Sequence, residues 1–398
     1  MNRALLGDSH NFGRRVSLQG ELVIKPRTVF WEWLLLAKKS PLRRLLDRAA
    51  ARSELGESAF SFLPSLHYGT PRAREGAAVE RLELRSVRAL AQAERRELAR
   101  IVGRSLALFG FLGVADLHWE NLVLGRDTQG RLIFGPVDVE MVLADFASPV
   151  ETKLLPDADP EYAEVCRHAA GVRRVLPYLG KPVAVDDLLA MLEAYARTLS
   201  FLEQNAVAIA ELLARLPGLA DAPIRVCLRG TDEYVRARLA PLWPPLLDAE
   251  SEQLARGDIP YFFRFYGRRG IHYYAEPSLR ELGRLPLAGD VPKLEPLLSL
   301  SRALRSPSRR RLSREGLFTV LGAFDHPSFV GRYDCGDMAV TFGARSLVVH
   351  LSGGEELHSR RNLRAFVGSV YLPCRCGEVR SVFVPRITKC TAEAVGSR

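Results

Sequence analysis

The sequence predicts an α+β fold: a small strand-bearing N-terminal part, a larger helical part, and a strand-rich C-terminal segment. Three observations predict it. Val16-Ser17-Leu18 and Glu21-Leu22-Val23-Ile24 flank Gly20, the pattern of a hairpin. Residues 91–109 and 183–216 carry apolar residues at helical spacing. Residues 339–342 and 346–351 return to strand-like runs, followed by a Gly353-Gly354 turn. The chain has 398 residues, enough for about two or three packed units. Composition shifts divide it into 1–90, 91–300, 301–327 and 328–398.

Hydrophobic residues make up 47% of the chain and the formal net charge is +10. That charge is compatible with an acidic partner but does not identify one. Nucleic acid, an anionic membrane and an acidic peptide would all suit it; nucleic acid is not an expected partner. No run reaches the roughly 18 apolar residues of a membrane span, and the N-terminus has no apolar signal core. Six cysteines in a chain this long do not form a secreted disulfide framework, so a reducing cytoplasm is the expected compartment.

Taken in order, residues 5–15 are turn-rich and hold Asp8 and His10. The hairpin at 16–24 ends in Lys25, the strand position from which a kinase grips phosphate. There is no G-x-G-x-x-G, because Gly7, Gly13 and Gly20 are too widely spaced. Residues 28–55 carry two helical patterns, the second opened by Pro41; Glu32 on the first is a candidate partner for Lys25. Residues 56–77 read as a loop. Glu80–Leu84 reads as a strand leading to a hinge, and 91–109 as the helix that feeds the central stretch.

That central stretch, 110–143, carries the chemistry. Asp116-Leu117-His118-Trp119-Glu120-Asn121 precedes a strand pair turning at Thr128-Gln129-Gly130, and the return strand delivers Asp138-Val139-Glu140. Asp116 suits orienting a hydroxyl and accepting its proton. Asn121, five residues on, and Asp138 are oxygen ligands suited to Mg²⁺, which keeps water and phosphate in its other positions. D-x-x-x-x-N followed by a strand-borne Asp is the spacing of protein kinases, and predicts a kinase-like two-lobe core. An Asx-rich turn before a hairpin with acidic caps would explain one such residue, but not the ordered set.

Residues 144–161, with Pro149, Pro156 and Pro160, have the length of a lid or substrate loop. Arg225, Arg229 and Thr231 cluster ahead of a helix; two guanidiniums and a hydroxyl suit a phosphate, although a solvated basic helix start has the same composition. Residues 257–274 are aromatic-rich, and Ile259-Pro260-Tyr261-Phe262 within them reads as packing. Residues 301–314 form a basic, Ser-rich linker before a helix at 312–324. Cys374, Cys376 and Cys390, with Cys335 or a His, suggest a metal knuckle, but paired zinc spacing is missing and free thiols are expected.

Several of these stretches together resemble the dehydratase domain of class II lanthipeptide synthetases, which make lantibiotics. The matching residues are Gly7-Asp8-Ser9-His10 with Gly13-Arg14, Val23-Ile24-Lys25-Pro26-Arg27, Asp116 to Asn121, and Pro136-Val137-Asp138-Val139-Glu140. Arg225, Arg229, Thr231 and Tyr234 follow, then Gly257-Asp258-Ile259-Pro260-Tyr261-Phe262. The resemblance implies a core like that of lipid kinases, using ATP and Mg²⁺. It implies phosphorylation of Ser and Thr in a ribosomally made precursor peptide, then elimination of phosphate to give dehydroalanine and dehydrobutyrine. It assigns Lys25, Asp116, His118, Asn121, Asp138 and Glu140 to phosphorylation, with Lys25, Asn121, Asp138 and Glu140 on the nucleotide and the last three on Mg²⁺. Asp8, His10, Arg225 and Thr231 go to elimination, with Lys25 contributing. Either Lys25 or His10 suits the base, given neighbours that lower its pKa.

The sequence departs from the family pattern in three places. The first motif begins at Gly7, without the family's long preceding region, so a truncated start or an N-terminal partner chain is expected. No zinc cyclase pattern follows, so thioether ring closure is left to a separate cyclase. The segment between the lysine strand and the catalytic helix is short. Two alternatives stand beside this reading. One is a kinase-like phosphotransferase acting on a peptide or small molecule without elimination; D-x-H-x-x-N followed by V-D also resembles aminoglycoside and choline kinases. The other is an inactive peptide-binding remnant.

Overall fold

The computed structural model describes residues 4–144, 146, 148–156, 170–240, 246–266, 268, 270–285 and 307–361. Residues 145, 147 and 157–161 of the expected lid, residues 301–306 of the expected linker, and Cys374, Cys376 and Cys390 lie outside them.

The fold is α+β, with helices and antiparallel sheets. The first sheet is a meander of β1 (Ala4–His10), β2 (Arg14–Gln19), β3 (Leu22–Lys25) and β4 (Ala77–Glu80). The β2–β3 hairpin turns at Gly20, whose φ of 61° suits a residue without a side chain. β1 was not expected, because its Gly7 and polar residues read as turn. A register shift between Leu6 and His10 absorbs them and lets the strand pair with β2. β4 ends at Glu80, where the expected strand begins. Glu80 faces Leu22, the first residue of β3, and one further backbone bond, from the Arg81 amide to the Glu21 carbonyl at 2.8 Å, follows before the chain leaves the sheet.

Between β3 and β4 lie α1 (Phe30–Leu36) and α2 (Pro41–Ala50). Ser40 caps α2 by accepting from the Arg43 amide, and Pro41 occupies its first turn. Trp31 of α1 is buried and donates its indole N–H to the Pro223 carbonyl at 3.0 Å, tying α1 to the third sheet.

The main core is helical. α3 (Gln92–Leu112) packs along the later helix Val185–Gln204, and Pro307–Phe324 lies against both. Gly103 and Gly316 make the close approach possible. A Cβ on Gly103 would lie 2.1 Å from the Met191 carbonyl oxygen, and one on Gly316 would lie 2.1 Å from the Tyr195 hydroxyl. The last of these helices starts at Pro307, inside the stretch expected to be linker, so the basic run 308–311 lies in the helix.

A hairpin of β5 (Leu122–Arg126) and β6 (Leu132–Pro136) follows α3 and turns at Gly130, as expected. β7 (Pro223–Val226), β8 (Phe262–Phe265), β9 (His272–Tyr274) and β10 (Leu282–Arg284) form the third sheet. Ile259, Pro260, Tyr261 and Phe262 are buried, as expected, and Phe262, Phe263, Phe265 and Tyr274 are buried on β8 and β9. The fourth sheet, β11 (Gly331–Cys335) to β14 (Glu356–Arg360), includes the strands expected at 339–342 and 346–351. Its inner residues, including Val340, Phe342 and Val349, join the helical core.

Candidate active site

Lys25 closes β3 with its side chain buried. Its ammonium donates to Glu32 at 2.8 Å and to the Val137 carbonyl at 2.8 Å, and stands 3.8 Å from Asp138. Arg27, two residues on, meets Glu32 at 2.7 Å and Glu140 at 2.7 Å, and also bonds Asp138. Arg225 on β7 reaches Glu140 at 3.6 Å. Three cations and three carboxylates therefore alternate in one cluster.

Alternation along the chain sets it up. Asp138 and Glu140 leave one side of an extended segment while Val139 and Met141 are buried on the other. The backbone of this segment is held on both flanks. Arg225 donates its amide to the Glu140 carbonyl at 2.9 Å, and Ala115 donates to the Met141 carbonyl at 3.0 Å.

Electrostatics follow from this packing. Burial raises the pKa of Glu32, opposed by Lys25 and Arg27. Burial also works against the charge of Asp138, but Arg27, Lys25 and Arg225 outweigh it and hold this carboxyl well below its usual range. Arg27 and Arg225 stay cationic despite burial because Asp138 and Glu140 surround the first and Glu140 adjoins the second.

The Asp116 loop lies alongside. α3 ends at Gly113 with φ 63°, where a Cβ would meet the Ala144 carbonyl oxygen at 2.2 Å. Asp116 is itself left-handed at φ 63°, uncommon for a residue with a Cβ. Asn121 pins it by donating to the Asp116 carbonyl at 2.9 Å. Lys153 lies 3.4 Å from its carboxylate, and His118 Nε2 lies 4.0 Å from it. The two clusters join where Val137 donates its amide to the Asn121 carbonyl at 3.0 Å. Trp119 lies under Arg173 and Arg174, whose guanidinium carbons are 5.0 and 4.8 Å from its ring centre.

On the third side stand His10 and Arg225. His10 ends β1, and its Nδ1 donates to the Ile259 carbonyl at 2.7 Å. Burial, then the charge of Arg225, lowers its pKa. The Arg225 guanidinium lies 5.3 Å from the centre of the Tyr261 ring. Asp8, earlier on β1, is exposed. Thr231 is the exposed first residue of a helix (Thr231–Ala237). Arg229 is drawn off to Glu250 at 3.1 Å, which also accepts from Tyr234. The expected trio of Arg225, Arg229 and Thr231 thus separates into a cluster member, a structural ion pair and an exposed helix start.

Arg27, Lys153 and Asp258 hold positions that sequence reasoning did not assign. Arg27 had a signal, since i and i+2 of an extended segment share a side. Lys153 had none, since the Asp116 carboxylate it meets lies 37 positions earlier in the chain. Among the described residues no three His, Cys, Asp or Glu side chains gather as a metal site. Asn121 and Asp138 do fit a hard cation. Asn121 donates through Nδ2, which leaves its carbonyl oxygen as a ligand, and the Asp138 side chain is 33% exposed. Asp138 meets Arg27 and Lys25 through one oxygen, Oδ1; Glu140 fits less well, because Arg27 and Arg225 engage both of its oxygens and its side chain is only 11% exposed. Cys335 is a buried thiol that donates to the Leu189 carbonyl, and Cys227 is also free.

No protein-family model and no curated protein matches this chain.

Proposed function

We propose that this chain is an ATP-dependent dehydratase of the lanthipeptide type, built on a kinase-like core. It would phosphorylate Ser and Thr of a precursor peptide and then eliminate the phosphate. The observation that carries this reading is the convergence of Lys25, Glu32, Asp138, Glu140 and Arg225, from four separate stretches of chain, beside the Asp116–Asn121 loop. Kinase chemistry needs this combination of a lysine–glutamate pair, a metal-holding Asp and a base-bearing loop.

Asn121 and Asp138 would hold Mg²⁺. Magnesium-ATP, when bound, supplies the phosphoryl group and screens its charge. Asp116 orients the peptide hydroxyl and takes its proton. Lys153, beside it, adds positive charge near the transferring group. Lys25, held by Glu32, bonds phosphate oxygens. In the second step the Cα proton is removed, its electron pair forms the Cα–Cβ double bond, and the Cβ–O bond breaks. Arg225 receives the departing phosphate.

The test is mass spectrometry of a Ser- and Thr-rich peptide encoded by a neighbouring gene, incubated with the protein, Mg²⁺ and ATP. Successive losses of water are expected, and Arg225→Ala should stop at phosphopeptide. An unchanged peptide, together with no binding of Mg-ATP, would overturn the reading. Phosphotransfer without elimination is the second reading. It is favoured by the exposure of Thr231 and the commitment of Arg229 to Glu250, and persistent phosphopeptide from the unmutated protein would establish it.

A further inference from the structure

Asp258 is fully buried, just past the helix Asp248–Ala255, and it grips a loop some 250 positions earlier in the chain. One carboxylate oxygen accepts from the Ser9 hydroxyl at 2.6 Å and from the Gly13 amide at 2.9 Å. The other accepts from the Phe12 amide at 2.7 Å and stands 3.9 Å from Arg256 Nε. Three consecutive residues of that loop, Asn11, Phe12 and Gly13, have φ of 49°, 68° and 79°. Only Gly13 adopts this region without steric cost, so the loop needs an external restraint. Successive amides converging on one carboxylate are such a restraint. The next residue, Ile259, completes it: its amide donates to the Ser9 carbonyl at 2.8 Å, and its carbonyl accepts from His10 Nδ1 at 2.7 Å.

This arrangement distinguishes the two candidate bases. Lys25 Nζ is enclosed by acceptors, donating to Glu32 and to the Val137 carbonyl with Asp138 close by. His10 gives its Nδ1 hydrogen to Ile259, which leaves the Nε2 lone pair as acceptor; Nε2 makes no hydrogen bond to any described residue. We infer that Asp258 is a positioning residue for elimination: by clasping Ser9, Phe12 and Gly13 it fixes His10 in the tautomer whose Nε2 takes the Cα proton. The inference rests on the proposed dehydratase reading. Nε2 gains the proton, the released pair forms the double bond, and phosphate leaves toward Arg225.

The test uses the full chain and Asp258→Asn, with two versions of the peptide encoded by a neighbouring gene, unmodified and synthesised with phosphoserine. Nitrogen NMR of labelled histidine reports the tautomer independently of activity. Asp258→Asn is expected to phosphorylate the unmodified peptide within about threefold of the parent protein, while eliminating from the phosphoserine version at least about tenfold more slowly. The His10 resonance should move from a single Nδ1–H tautomer toward a mixture. Retained phosphorylation shows that the variant folds. Ser9→Ala, which removes one bond of three, should slow elimination less. Elimination by Asp258→Asn within about threefold of the parent rate, or an unchanged His10 tautomer, would overturn the role of Asp258 alone. A parent protein that leaves both peptides intact would overturn the dehydratase reading and this role together.

Discussion

At the level of single residues, the cluster is held by buried opposite charges, and removing one leaves another unpaired. Lys25 and Glu32 are both buried and 2.8 Å apart. Lys25→Met would leave Glu32 with Arg27 as its remaining cationic partner, and should destabilise the protein by about 3 kcal/mol in urea unfolding. Replacing both, as in Lys25→Met with Glu32→Leu, should recover much of that loss, because an apolar pair no longer carries the desolvation cost. His10 gives a pH signature. Its folded pKa lies below the ordinary 6.5 because of burial and Arg225, while Ile259, Glu140 and Asp8 pull the other way. The unfolded chain then binds a proton more readily than the folded one. Stability is complete above 6.5 and is lost as pH falls from there through the lowered folded value. Urea midpoints at about pH 7.5 and about pH 5.5 should differ less in His10→Gln than in the parent protein; an equal difference would remove His10 as a contributor.

At the level of elements, the site depends on where helices and strands stop. The helix Gln92–Leu112 ends at left-handed Gly113, which delivers the chain to Asp116 with the Ala144 backbone packed against it. Gly113→Ala adds a conformational penalty and a backbone clash together, so a loss of more than about 2 kcal/mol is expected. Calorimetry would measure it, and a melting temperature equal to the parent's would show that the loop entry tolerates a side chain. The elements set by local pattern were legible in the sequence: the Gly20 hairpin, the Pro41 helix, the long helix into the central loop, and the strands at 338–342 and 346–351. β1 was not legible, since a strand that accommodates Gly7 through a register shift has no two-residue period. β7 was also missed, because four residues are too few for a pattern and its pairing with β8 spans almost forty positions. Arg225 was therefore placed ahead of a helix, when its position depends on a strand.

For the whole molecule, the candidate site was legible as residue types in order, and illegible as geometry. Asp116, Asn121 and Asp138 stood out because one short stretch carries them. Lys153 did not, and Asp258 stood only within a motif that gave it no role, because both act through contacts to residues far away in the chain. The assembled cluster joins the first sheet, the helix Phe30–Leu36, the segment after β6 and the third sheet. A ligand seated there would cross-brace parts that are otherwise far apart in sequence, so binding should appear as global stabilisation. A nucleotide that binds only the folded state adds about 2.7 kcal/mol at a hundred times its Kd. Mg-ATP should therefore raise the melting temperature in a concentration-dependent way, and ATP with a chelator should raise it less. Asp138→Asn should remove the difference between the two, because Asp138 is the partly exposed carboxylate proposed to hold the cation. Lys25→Ala should weaken both shifts, since its ammonium would bond phosphate with or without the cation. A parent protein whose melting temperature ignores Mg-ATP up to millimolar concentration would speak against phosphoryl transfer, and would turn the charge cluster into a purely structural brace.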